Sequence, residues 1–143
     1  MEVDLFQGSP YIPFYVLTKE FFENVRSVLS DDGAMVMNIY APAKKEIIEP
    51  VLATIANAFP SVYKIPISDN FVVLATKRKT SIEEVKEKIK NAVVAEKADL
   101  NLANEYSLMN ISIFLPDKKA PIFTDDWAPV EPITYKMIKG LKL

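Results

Sequence analysis

Cysteine and histidine are both absent from this chain, which leaves it few ways to do chemistry. Thiolate and imidazole metal sites, Cys or Ser–His nucleophile systems and disulfides are excluded within it. Proton transfer falls to carboxylates, tyrosine or lysine. Two carboxylate positions stand out. Asp4 sits in the apolar run Val3-Asp4-Leu5-Phe6, and Asp125-Asp126 immediately precede the single tryptophan, Trp127. An aspartate at a strand end either serves an active site or caps the loop that follows. Asp125 and Asp126 either draw a cation over a pocket mouth or form a solvated turn before a buried Trp127. Tyr11 and Phe14 either line an apolar slot or pack on the first helix.

The elements that must position these residues are legible from periodicity. Glu2 to Phe6 reads as a short buried strand, followed by a loop from Gln7 to Pro13 that holds Gly8, Pro10 and Pro13. Thr18 is placed to cap a helix from about Lys19 to Leu29, with Phe21, Phe22, Val25, Val28 and Leu29 on one stripe. Ser30-Asp31-Asp32-Gly33 is a stop-and-turn signal in which Gly33 is free to take a positive φ. Ala34 to Ile39 is a continuous apolar run, the pattern of a strand covered on both faces. A second helix is predicted from Lys45 to Phe59, with Ile47, Ile48, Val51, Leu52, Ile55 and Phe59 inward, then strands at Ser61 to Ile65 and Phe71 to Thr76, joined through Ser68-Asp69-Asn70 as an antiparallel pair.

Thr80 or Ser81, with Glu83 or Glu84 three residues on, forms a capping box for a third helix to about Ala95. A weaker helix is predicted over Leu100 to Met109. The segment 116–143 reads as an extended C-terminal arm, irregular from Pro116 to Pro132, with a short helix near Tyr135 to Lys139. The order strand, helix, strand, helix, strand, strand implies an α/β domain with two right-handed crossovers and a closing hairpin.

At 143 residues, half of them hydrophobic, the chain suits one domain with its own core. A net charge of −2 argues against a nucleic-acid surface. The Lys77 to Lys79 cluster reads as a solvated turn. No run approaches the roughly 18 apolar residues of a membrane span, and the N-terminus lacks the pattern of a secretory signal, so a cytoplasmic location is expected. Met1 is followed almost at once by the strand at Val3, which leads us to expect a segment upstream or a second chain beside it.

Several motifs, in order, resemble one family. Val3-Asp4-Leu5-Phe6-Gln7-Gly8, Ile12-Pro13-Phe14 and Leu17-Thr18-Lys19-Glu20-Phe21-Phe22 resemble the fourth strand and following helix of spermidine synthase-like proteins, the polyamine aminopropyltransferases. Ser30-Asp31-Asp32-Gly33 before Ala34-Met35-Val36-Met37-Asn38 resembles the turn into their fifth strand. Phe71-Val72-Val73-Leu74-Ala75-Thr76 resembles their last strand, and Thr124-Asp125-Asp126-Trp127-Ala128-Pro129-Val130-Glu131 the closing motif of a divergent branch. The resemblance spans nearly the whole chain.

It implies the C-terminal half, residues 1–143, of a methyltransferase-like (Rossmann-like) three-layer sheet: its last four strands, ending in an antiparallel hairpin. The first three strands, which in the family hold the adenosine of the cofactor, are expected elsewhere. The three glycines, Gly8, Gly33 and Gly140, are not arranged to cradle a nucleotide. Decarboxylated S-adenosylmethionine or S-adenosylmethionine is therefore implied for the complete domain, and no cofactor for this chain alone.

Aminopropyl transfer is attack by a deprotonated amine on a methylene beside a sulfonium. The resemblance gives this role to Asp4 as the catalytic carboxylate, able to pair with the ammonium and accept its proton. Gln7 stands where the family has a second aspartate, which replaces one anionic contact with a neutral one and weakens diamine binding. Tyr11, Pro13, Asp125 and Asp126 complete the implied substrate side; on the residues alone Gln7 reads as loop scaffolding and Pro13 as a source of loop rigidity. The expected partners are a second copy or an N-terminal half-domain chain, with a polyamine-type small molecule. The competing expectation is a degenerate, non-catalytic module acting in dimerisation or as a scaffold.

Overall fold

The computed structural model describes residues 2–4, 13–40, 45–67, 70–94, 110–130, 132, 133 and 135. It is a mixed α/β fold. The strands are β1 (Glu2–Asp4), β2 (Ala34–Tyr40), β3 (Ser61–Ile67), β4 (Asn70–Thr76) and β5 (Ser112–Ile113). The helices are α1 (Lys19–Val28), α2 (Lys45–Ala58) and α3 (Ile82–Val94). The sheet order is β1-β2-β4-β3-β5. β1 runs parallel to β2, whereas β4 runs antiparallel to both β2 and β3. β2 and β3 therefore point the same way with the returning β4 inserted between them.

Local chemistry explains the helix starts. The Phe21 N–H donates to Thr18 Oγ1 at 3.3 Å and the Glu84 N–H to Ser81 Oγ at 3.1 Å, so Thr18 and Ser81 each satisfy a donor that their helix leaves open. Thr80 joins a different network. Its hydroxyl lies 3.1 Å from Tyr63 Oη and 2.9 Å from Thr76 Oγ1, and its N–H donates to Ser61 Oγ. The fully buried Tyr63 hydroxyl also donates to the Thr80 carbonyl at 2.8 Å. These bonds hold the connection between β4 and α3 against the start of β3.

Pleat alternation divides the core. On one face Met35, Met37, Ile39, Val62, Val73 and Ala75 meet Phe22 and Val25 of α1 and Val51, Leu52 and Ile55 of α2. On the other, Tyr63 and Ile65, with Val72 and Leu74 beside them, meet Val85 and Ile89 of α3.

Several expectations are corrected. Val28 is 75% exposed and does not belong to the buried stripe of α1, whose fully buried residues are Phe22 and Val25. β2 is buried on one face only: Val36, on the other, remains 36% exposed. Gly33 does not take a positive φ. Its need is space, since a Cβ there would stand 2.8 Å from the Ser30 carbonyl oxygen. Asn70 opens β4 and so belongs to the strand. β5, not foreseen, adds to the far edge of β3, and the Phe114 N–H donates to the Val62 carbonyl.

Among its described residues the C-terminal arm has no long element, yet it is built into the core. Phe123 and Val130 are fully buried with α1 and α2. The helix foreseen over Leu100 to Met109 lies outside the described residues. So does most of the one near Tyr135 to Lys139, although Tyr135 itself is helical.

Candidate functional site

The parallel register sets Glu2 opposite Val36, Val3 opposite Met37 and Asp4 opposite Asn38. Asp4 thus closes β1 at the C-terminal rim of the sheet. The antiparallel pairs extend the rim: Asn38 faces Val72, Tyr40 faces Asn70, and Asn70 faces Ile67. Carboxyl ends of parallel strands are the usual seat of ligands in open α/β sheets, because the chain leaves the sheet there and frees side chains from packing. Asn70 adds a feature absent from the sequence reading: its Oδ1 is buried with no hydrogen-bond partner among the described residues. Gln7 and Tyr11 lie outside the described residues.

The described chain resumes at Pro13, half-buried with φ −58° and ψ 126°, values the pyrrolidine ring favours. Its carbonyl accepts the Val16 N–H at 3.2 Å and opens a short 3-10 helix, Phe14–Val16, that delivers the chain to Thr18 and α1. The Thr18 hydroxyl, besides capping α1, donates to the Tyr15 carbonyl at 3.5 Å.

The arm meets the same helix start. Lys19 donates its N–H to the Phe123 carbonyl at 2.8 Å. Thr124 and Trp127 exchange backbone bonds of 3.0 Å in each direction, closing a tight turn whose exposed tip is Asp125-Asp126. The Asp125 N–H donates to Glu20 Oε2 at 3.0 Å, across 105 positions of sequence. From below, Thr54 of α2 accepts the Phe123 N–H at 2.9 Å and donates to the Pro50 carbonyl at 2.7 Å. Pro13, Asp125 and Asp126 are thereby gathered around the N-terminus of α1, where the helix dipole favours carboxylates such as Glu20.

Trp127 overturns the expectation of a buried indole. It is 53% exposed and rests edge-on against Phe123, with ring centroids 6.0 Å apart. Phe123 takes the buried place instead. Thr54, Glu20 and Asn70 escaped the sequence reading because their roles depend on contacts far apart in the chain. The only signal for Glu20 was its place in the first turn of α1.

The opposite end of the sheet is tied electrostatically. Arg78 pairs with Asp32 at 2.6 Å and with Glu84, and Lys77 donates to the Leu29 carbonyl at 2.6 Å, capping α1. The hydrogen bond to Arg78 holds the Asp32 carboxyl below the usual carboxylate range and does the same for Glu84, while Arg78 is pushed up by both. One cavity, about 560 Å³ between α2 and the arm, is lined by Glu49, Pro50, Leu115, Asp117, Lys119 and Pro121 and contains none of the sequence-predicted site residues. Among the described residues no group of carboxylates is placed to hold a metal ion, and no helix is long and apolar enough to cross a membrane.

Searches of protein-family models, curated proteins and solved structures each find no match to this chain.

Proposed function

We propose that this chain is the acceptor-side portion of a polyamine aminopropyltransferase-like domain, which binds an amine at the β1 rim and does not bind the nucleoside donor on its own. The observation that carries this reading is the position of Asp4. It ends a strand parallel to β2, and the chain beyond it leads through Pro13 to the start of α1. The hairpin that returns β4 beside β2 supports the same reading, since the resemblance implies a methyltransferase-like sheet closing on an antiparallel hairpin. Helix-covered cores on both faces suit the three-layer form of that sheet.

In this account Asp4 pairs with the acceptor ammonium and takes the proton that must leave before the nitrogen can attack. Gln7 offers a neutral hydrogen bond, Tyr11 an apolar wall, and Pro13 a fixed loop shape. Asp125 and Asp126, exposed at the start of α1, add negative potential that draws a polycation toward this end of the sheet. The donor, decarboxylated S-adenosylmethionine or S-adenosylmethionine, is held by backbone added beside β1. Among the described residues that strand has a neighbour on one side only. A second copy or an N-terminal half-domain chain fills that place.

Isothermal calorimetry tests the proposal. The chain is expected to bind a diamine, and Asp4→Asn to weaken that binding about 10- to 100-fold, the worth of one charge-assisted hydrogen bond of about 1.5–3 kcal/mol. Neither nucleoside donor should bind the chain alone. Diamine affinity unchanged by Asp4→Asn, or micromolar binding of a donor, contradicts it. The scaffold reading draws on the exposed Val36 and the one-sided β1. A stable dimer with no amine binding favours it.

A further inference from the structure

We infer that the aromatic surface formed around the N-terminus of α1 by the 3-10 helix and the arm turn docks a basic segment of a partner protein. Tyr15 is 60% exposed, Phe14 39% and Trp127 53%. Such rings are normally drawn inward by their apolar area, and exposed apolar surface ringed by polar groups marks interaction sites.

The rings do not wave free. Phe14 and Tyr15 pack edge-to-face at 5.7 Å within a helix whose end is tied to Thr18, and Trp127 stands on the buried Phe123. The arm turn is tied to the first turn of α1, which directly follows the 3-10 helix, because Lys19 holds the Phe123 carbonyl and Glu20 holds the Asp125 N–H. A surface fixed in advance loses little side-chain entropy on binding.

Charge complementarity selects the occupant. The carboxylates at hand are Glu20, Asp125 and Asp126, while the nearby Lys19 is already paired with Glu23 at 3.5 Å. Guanidinium and ammonium groups stack on aromatic faces and pair with carboxylates, so a Lys/Arg-rich segment answers both features. The inference goes beyond the aminopropyl-transfer reading, with which it shares Asp125 and Asp126, and it does not need Asp4.

Trp127 is the single tryptophan of the chain, so its emission reports on this surface directly. Titrating the full chain with an octa-arginine peptide should give a saturable change in that emission. The affinity should fall at least about fivefold in Asp125→Asn/Asp126→Asn and in Tyr15→Ala, and fall again as salt is raised. Asp117→Asn, at an exposed carboxylate of the arm beside the α2 cavity, should leave it unchanged. A flat titration overturns the inference, as does equal affinity in the Asp125/Asp126 variant or equal loss in Asp117→Asn. Spermidine producing the same saturable change at the same affinity also overturns it, and assigns the surface to small amines.

Discussion

Removing one hydroxyl, that of Thr54, should loosen the arm from the domain. Thr54 is fully buried, and its Oγ1 both accepts the Phe123 N–H and donates to the Pro50 carbonyl. Thr54→Val keeps the shape and deletes both bonds. The Pro50 carbonyl retains its helical partner, so its loss is small. The Phe123 N–H is left buried without an acceptor, which costs about 1–3 kcal/mol. The sum, about 1–3 kcal/mol, corresponds to a drop of roughly 2–12 °C in Tm for a domain of this size.

Thr54→Ser is the control. It keeps both bonds and loses one buried methyl, worth about 1 kcal/mol. Urea unfolding supplies the two free energies, and hydrogen exchange at the Phe123 amide supplies the local readout, with exchange accelerated in Thr54→Val and not in Thr54→Ser. A Thr54→Val protein as stable as wild type, or one that loses less than Thr54→Ser, would refute the claim that this hydroxyl fastens the arm.

Further outcomes follow from the same geometry. Phe123→Ala should cost about 3–5 kcal/mol, while Trp127→Ala, half in water, should cost far less, as chemical denaturation will show. Gly33→Ala pushes a methyl to within 2.8 Å of the Ser30 carbonyl oxygen and should destabilise by about 1–3 kcal/mol, measurable as a lower urea midpoint. Asp32 and Glu84 both titrate below their ordinary values when folded, so the stability they lend is present above the unfolded carboxylate range and fades as pH falls through their folded values. Tm followed from about pH 6 to about pH 3 should therefore drop less steeply in Arg78→Gln than in wild type.

What the sequence revealed was what local physics decides. Thr18 and Ser81 announced their helices because a cap needs only the next three residues. The apolar spacing of Val51, Leu52 and Ile55 placed the buried face of α2. Where a side chain's surroundings come from distant segments, the reading failed. Ala34 to Ile39 looked like a strand covered on both faces, but α3 lies over the Tyr63 and Val72 side of the sheet and leaves Val36 open. Phe123 and Trp127 are neighbours of similar hydrophobicity, and only the tertiary turn decides which is buried. β5, two residues long, carries no periodic signal at all. At the site, Asp4, Pro13 and Asp125-Asp126 were visible as residue types. The joining of Pro13 and the Asp125-Asp126 turn through Thr18, Lys19 and Glu20 was not.

We propose that the β1 rim binds an amine through Asp4, with the neutral Gln7 standing where the resemblance implies a second carboxylate. The most direct test is the diamine affinity of Gln7→Asp measured beside wild type by calorimetry. A second carboxylate three residues after Asp4 should tighten binding about tenfold, through one further charge-assisted contact, and added Asp4→Asn should abolish the gain. Unchanged or weaker diamine binding in Gln7→Asp would contradict the account.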